Sequence, residues 1–141
     1  MAFIRKLYSD LDFVYTQCHG VLDDSSLRIH LLSFNIEMKG MKTIKEVADL
    51  RGIKKADGGT VRGLIELADL DRKQSAGRDE LLAIIVNEPL ISEMARLYSD
   101  LLKNSKEDIA VFMEVDDALF WLGYSEQEMA VLRGFIKKHR A

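Results

Sequence analysis

One uninterrupted apolar run constrains the fold more than any other feature of this chain. Residues 81–86 read Leu-Leu-Ala-Ile-Ile-Val, with no polar residue among them. A strand with one face in water alternates apolar and polar residues, whereas a strand covered on both faces does not. Such a run is typical of a central strand in a parallel sheet that carries helices on both sides. The sequence therefore predicts an α/β domain.

The remaining patterns predict the element order β-β-α-β-α-β-α-β-α-α, with a mostly parallel sheet of about five strands. Strand formers flank a Ser-Asp-Leu-Asp turn, which predicts an N-terminal hairpin from residues 3–8 to residues 13–19. Further strands are predicted at 46–50 and 109–113. Alternation of strands with helices favours parallel pairing through right-handed crossovers.

Apolar residues at helical spacing and cap residues predict the helices. The first follows Asp23 and Asp24, and the second begins after a loop at 54–59 and ends in a polar stretch at 69–77. Pro89 lies at the start of the third helix. Ser125 and Glu128 form a capping box for the last one.

Length and composition set the broad class of the protein. The chain has 141 residues, of which 48% are hydrophobic, and a net charge of −3. This length predicts a single domain over residues 1–141, with 125–141 as a C-terminal helix. The negative charge argues against nucleic acid as a partner, and no apolar run is long enough for a membrane span. The lone Cys18 and an N-terminus without signal-peptide features predict a cytoplasmic protein.

The sequence contains no recognisable catalytic or cofactor-binding set. It has neither a phosphate-binding loop nor a Gly-x-Ser-x-Gly turn. Its three histidines lack metal-ligand spacing, and Cys18 and His19 point to opposite faces of a strand. Cys18 is predicted to be buried, whereas Asp69 and Asp71 are predicted to face water. We therefore expect no catalytic residues, no metal and no cofactor, and a protein that is not an enzyme.

Two glycines before the second helix leave two interpretations open. The first is a tight strand-to-helix turn. The second is an anion or partner site, because bare N–H groups at a helix N-terminus attract negative charge. The residues predicted for that site are Arg51, Asp57, Gly58, Gly59, Thr60 and Arg62.

The last helix also leaves two alternatives. Its apolar residues are Met129, Leu132, Phe135 and Ile136. They either dock the helix on the sheet or form a contact with a partner, which includes a second copy of the chain in a homodimer.

Four motifs resemble those of a bacterial branch of the SpoIIAA-like fold, the fold of STAS domains. They lie at residues 20–24 (Gly-Val-Leu-Asp-Asp), 48–52 (Ala-Asp-Leu-Arg-Gly), 95–98 (Ala-Arg-Leu-Tyr) and 111–122 (Val-Phe, then Asp-Ala-Leu-Phe-Trp-Leu). The resemblance covers roughly residues 10 to 123, and the last motif is the most specific.

The resemblance implies a protein that binds rather than catalyses. In antagonist STAS domains a serine in an Asp-Ser-Ser-Gly turn is phosphorylated, and residues 57–60 align with that turn. Glycine stands in place of the acceptor serine here, and Thr60 is displaced by one residue. The related CRAL-TRIO domains bind lipids in an apolar cleft, which no pattern in this sequence marks. We expect a non-enzymatic regulatory or protein-interaction module, or alternatively a domain that binds a small anionic or lipid-like ligand.

Overall fold

The chain folds into one five-stranded sheet with helices on both faces. The computed structural model describes residues 1–75, 77–103, 105 and 107–140. Its strands are β1 (Ala2–Tyr8), β2 (Phe13–Val21), β3 (Thr43–Lys55), β4 (Asp79–Ile85) and β5 (Glu107–Phe112). Its α-helices are α1 (Asp24–Glu37), α2 (Val61–Gln74), α3 (Pro89–Leu101), α4 (Val115–Trp121) and α5 (Glu126–His139). The predicted order of strands and helices is confirmed.

The strands lie in the sheet in the order in which they occur along the chain. β1 pairs antiparallel with β2, and each later neighbour pair is parallel. Helices α1, α2 and α3 cover one face, where they pack on residues such as Cys18, Ala48 and Ile84. Helices α4 and α5 cover the other face, over Val47 and Ala83 among others. No helix in the described part of the chain is long and apolar enough to cross a bilayer.

The apolar run at 81–86 is the buried strand that its pattern predicts. β4 lies between β3 and β5, so both of its edges are hydrogen-bonded. Ala83 and Ile85 pack beneath α4 and α5, whereas Ile84 faces the opposite side. Both faces therefore exclude water, which explains why the run lacks alternation.

β3 is much longer than the strand predicted at 46–50. It continues to Lys55 because it remains paired with β2 through two register shifts. At Gly52 a Cβ atom would lie 2.7 Å from the carbonyl oxygen of Cys18. Glycine is needed there because the two backbones approach too closely for a side chain.

α2 does not end near residue 69 as predicted, but continues to Gln74. Its buried face carries Leu64, Ala68 and Asp71, spaced by four and three residues. The prediction that Asp71 faces water is wrong, since only 3% of that residue is exposed. Helical periodicity places this carboxylate on the same face as the apolar residues.

The C-terminal segment forms the helix that its cap signal predicts. The Ser125 hydroxyl accepts a hydrogen bond from the Glu128 N–H, and the Glu128 carboxylate accepts one from the Ser125 N–H. Before this helix, Trp121 lies against Phe112 with 5.8 Å between ring centroids, whereas Phe120 is largely exposed.

Candidate functional site

A cavity of about 120 Å³ lies between the sheet and helices α1, α2 and α3. Most of its wall is apolar, with side chains contributed by all three helices and by the strands beneath them. Those side chains include Leu22, Leu31, Phe34, Leu64, Leu82, Ile84, Ile91 and Met94. No pattern in the sequence marks this cavity, because residues far apart in the chain form it.

One part of the cavity wall is a cluster of three buried carboxylates. Asp71 comes from α2, Glu80 from β4 and Glu107 from β5, and Glu80 and Glu107 are direct partners in the strand register. Each offers an oxygen within 4.8 Å of the others. We call these three residues the carboxylate cluster. Oxygens at this spacing can hold a cation, whether an organic ammonium or a divalent metal.

Three buried glutamates on the cavity wall, Glu46, Glu80 and Glu107, favour their protonated forms. Burial raises the pKa of Glu46 to about 7, although a hydrogen bond from Thr16 at 2.6 Å opposes the shift. Burial also raises the pKa of Glu80 to about 7. For Glu107, burial and a hydrogen bond with Asp71 raise the pKa well above its usual range. These glutamates therefore hold their protons to a higher pH than exposed carboxyl groups do.

In the part of the chain that the structure describes, the carboxylate cluster is contacted by one hydroxyl donor, Tyr98, and by one cation, Arg78. The Tyr98 hydroxyl donates to Asp71 Oδ2 at 2.8 Å, and Arg78 forms an ion pair with Glu80 at 2.5 Å. Glu107 Oε2 is buried without a hydrogen-bond partner. A buried acceptor without a donor is costly, and this one belongs to a residue that lines the cavity.

Among the described residues, His30 supplies the only titratable nitrogen on the cavity wall, and its imidazole stays neutral. Burial and the neighbouring Arg5 guanidinium lower the pKa of His30 to about 4. Arg5 Nη2 lies 2.8 Å from His30 Nδ1. Since no lysine or arginine of the described chain lines the cavity, every charged group on its wall is a carboxylate.

Cys18 lines the same cavity and is buried, as predicted. Burial raises the pKa of its thiol to about 12, with a smaller contribution from Glu46. A thiol with such a pKa is protonated at neutral pH and is a poor nucleophile.

The turn at residues 57–60 already has a carboxylate at the N-terminus of α2. Asp24 accepts a hydrogen bond from the Thr60 backbone N–H at 3.0 Å and another from the Thr60 hydroxyl at 2.7 Å. Thr60 in turn caps α2 by accepting from the Gly63 N–H. An external anion at this helix end would have to displace the Asp24 side chain. Asp57, Gly58 and Arg62 of the predicted site are exposed at the same end.

Arg51 lies on the other face of the sheet from this turn. Its guanidinium donates to both carboxylate oxygens of Asp49, at 2.8 Å and 2.7 Å. Burial raises the pKa of Asp49, but hydrogen bonds from Arg51 and Tyr15 outweigh burial and hold it below its usual value. Arg51 lines an open groove with Arg133, Lys137 and Arg140. The structure thus does not bring Arg51 together with the rest of the predicted site.

The four residues predicted as dock or dimer contacts lie on α5. Met129, Leu132 and Ile136 are buried against the sheet within the same chain. Phe135 is half-buried and stacks edge-on against Tyr8, with 5.3 Å between ring centroids. α5 therefore docks on the sheet, and a dimer contact through these residues stays a prediction.

No sequence pattern predicts the three members of the carboxylate cluster as a site. Glu80 and Glu107 carry one weak signal, since each begins or nearly begins a strand at an inward-facing position. Lone acidic residues at strand ends are common on solvated surfaces as well. Only the sheet register identifies them as neighbours.

Comparison with known proteins identifies the fold. No family model matches the chain, and no curated protein matches it. The chain is similar to the crystal structure of an uncharacterized protein of the DUF3478 family from Shewanella loihica PV-4, which has a SpoIIAA-like fold. The two share 18% sequence identity and superpose with a TM-score of 0.56, over 86% of this chain and 92% of that one. The chain therefore has the SpoIIAA-like fold that its sequence motifs resemble.

Proposed function

We propose that this domain is a non-enzymatic binding module for a small, largely apolar molecule. The observation that carries the proposal is the cavity beneath α1, α2 and α3. Protein interiors are close-packed, and few voids larger than a water molecule persist in them. An engineered apolar cavity of about 150 Å³ stays dry and binds benzene, so a void of this size admits a small ring or a short alkyl chain.

The wall of the cavity favours some ligands over others. Its carboxylates repel anions, including the carboxylate of a fatty acid. An anionic ligand is therefore a poorer candidate than an uncharged lipid-like one. Leu27, Leu67 and Met94 line the cavity from three different helices and are half-buried. These side chains are therefore within reach of both the cavity and solvent.

Filling the cavity tests the proposal. We expect toluene to bind the wild-type protein and to shift the NMR signals of cavity methyl groups such as those of Met94. Ala95 is buried and lines the cavity, so Ala95→Leu occupies its space and should weaken toluene binding at least tenfold. Ala130→Leu, at an exposed position of α5, is the matched control and should bind toluene like the wild type. Toluene binding that Ala95→Leu leaves unchanged would place the ligand elsewhere and reject the proposal.

The second candidate function is protein interaction through the exposed turn at residues 57–62. Val61 and the Arg62 side chain are 60% and 90% exposed, which gives this corner an apolar and a cationic contact. The turn also touches the cavity wall, because a Cβ at Gly59 would lie 3.0 Å from Met94 Cε. A ligand in the cavity would thus contact Met94, which packs against the segment that faces a partner.

A charge reversal tests this second function. Arg62→Glu should abolish the capture of a partner from the source cells, because a cation–anion contact becomes repulsive. Lys73→Glu makes the same change near the far end of α2, also at an exposed position, and should capture the partner as the wild type does. Equal capture by both variants would remove the turn from consideration.

A further inference from the structure

We infer that the ligand of the cavity is a small hydrophobic amine whose ammonium group is bound by the carboxylate cluster of Asp71, Glu80 and Glu107. This inference rests on the proposed function and adds the chemical class of the ligand. It joins two observations that are independent of each other, namely an apolar void and a set of buried carboxylates on its wall.

The spacing of the carboxylate cluster suits an ammonium group. A primary ammonium has three N–H donors, each of which lies about 2.8 Å from a carboxylate oxygen when it is hydrogen-bonded. Tetrahedral directions from one nitrogen place such oxygens about 4.6 Å apart at those distances. The three carboxylates each present an oxygen within 4.8 Å of the others. The separation that one ammonium requires lies within this limit, so its three donors can reach three separate residues.

The distribution of charge around Glu107 also favours a cationic ligand. Glu107 is 8% exposed, and its Oε2 is buried without a hydrogen-bond partner although the residue lines the cavity. Arg78 offsets Glu80, but no described cation faces Glu107. A buried charge is tolerated when it is paired and hydrogen-bonded. An ammonium at this point would supply a donor to Glu107 Oε2 and the positive charge that the ionised form of Glu107 needs.

Binding would exchange protons for the ammonium group. Burial raises the pKa of Glu80 and of Glu107 and so favours their protonated forms. An ammonium beside them stabilises the ionised forms, so protons leave the site as the amine enters. A neutral ligand of the same shape has no such effect. Proton release thus separates recognition of the amine from simple filling of the void.

A matched pair of ligands tests the inference. Benzylamine and toluene have the same ring and differ in the ammonium group, and their binding can be compared by calorimetry at pH 7 in two buffers of different ionisation enthalpy. We expect benzylamine to bind at least tenfold more tightly than toluene and to release protons. Benzoate, which has the opposite charge, should bind more weakly than either. Toluene binding without any preference for benzylamine would overturn the inference and leave the proposed function standing, whereas silence from both would reject both.

Two variants and a metal control complete the test. Glu107→Gln should abolish the preference for benzylamine while toluene still binds, since the amide keeps the shape and loses the charge. Glu93→Gln, at an exposed position of α3, should retain the preference. Mn²⁺ alone is the competing cation. Binding of Mn²⁺ that depends on Glu107, together with no preference for benzylamine, would make the cluster a metal site and overturn the inference.

Discussion

Glu107→Gln is expected to raise the free energy of unfolding by about 3 kcal/mol at pH 8 and to change it little at pH 5. Burial and the hydrogen bond with Asp71 raise the pKa of Glu107 far above its ordinary value of 4.5. Each pH unit between the unfolded and the folded pKa costs about 1.4 kcal/mol. Between pH 5 and pH 8, a carboxyl group that stays protonated in the folded protein therefore lowers the free energy of unfolding by at most about 4 kcal/mol.

The direction of this effect follows from proton linkage. A carboxyl group whose folded pKa is raised contributes stability below its unfolded pKa and loses it as the pH rises toward the folded pKa. Glutamine cannot ionise, so the variant avoids that loss. The titratable groups that face Glu107 are Asp71 on α2, Glu80 on β4, Glu46 on β3 and Tyr98 on α3. The Arg78 guanidinium pairs with Glu80. His30 has a lowered pKa and gives an opposite slope between about pH 4 and 6.5, but it does so in both proteins.

Urea unfolding of both proteins at pH 5, 6, 7 and 8 measures the difference. Glu93→Gln, on the exposed surface of α3, is the control and should follow the wild type at each pH. Equal stability of Glu107→Gln and the wild type at pH 8 would mean that Glu107 ionises at its ordinary pKa. The carboxylate cluster would then be hydrated rather than buried.

Leu132→Ala is expected to lower the free energy of unfolding by about 3–4 kcal/mol. Leu132 is fully buried between α5 and the sheet, in the core cluster that contains Phe13, Tyr15 and Val47. Truncation of a buried leucine removes its transfer free energy and leaves a cavity, and the observed range is about 2–5 kcal/mol. Loss of this size is a large part of the total stability of a small domain, which is about 5–15 kcal/mol.

Val131→Ala provides the matched comparison for this variant. Val131 is the adjacent residue on α5 and is 48% exposed, so its truncation should cost less than about 1 kcal/mol. Thermal and urea unfolding of both variants measure the two losses. Equal losses, or a loss at Leu132 that depends on protein concentration, would indicate that α5 contributes to a dimer instead of docking within its own chain.

Element types could be predicted because local patterns carry them. The run at 81–86 identified the central strand, and the Ser125 and Glu128 capping box identified α5. Both signals depend on residues within one or two turns of each other. The two errors, the length of β3 and the end of α2, concern boundaries set by pairing and packing with distant segments. No local pattern records such partners.

The residues of the candidate site were even harder to predict from local sequence patterns than the element boundaries. Asp71 lies in a polar stretch of the sequence, which predicts exposure to water, although the tertiary structure buries it. Glu80 and Glu107 are separated by 26 intervening residues and become neighbours only through the register of β4 and β5. The residues of the predicted turn site are close in sequence, but the structure separates one of them from the rest, because Arg51 lies on the opposite face of the sheet.

The sequence by itself determined the α/β class, the element order and the SpoIIAA-like resemblance, because helix periodicity, strand composition and caps act over short distances along the chain. The tertiary structure decided the strand order, the cavity and the carboxylate cluster. These depend on which distant side chains share one face of the sheet, and on the burial that shifts their protonation. Burial is a property of the packed molecule, and no single segment contains it.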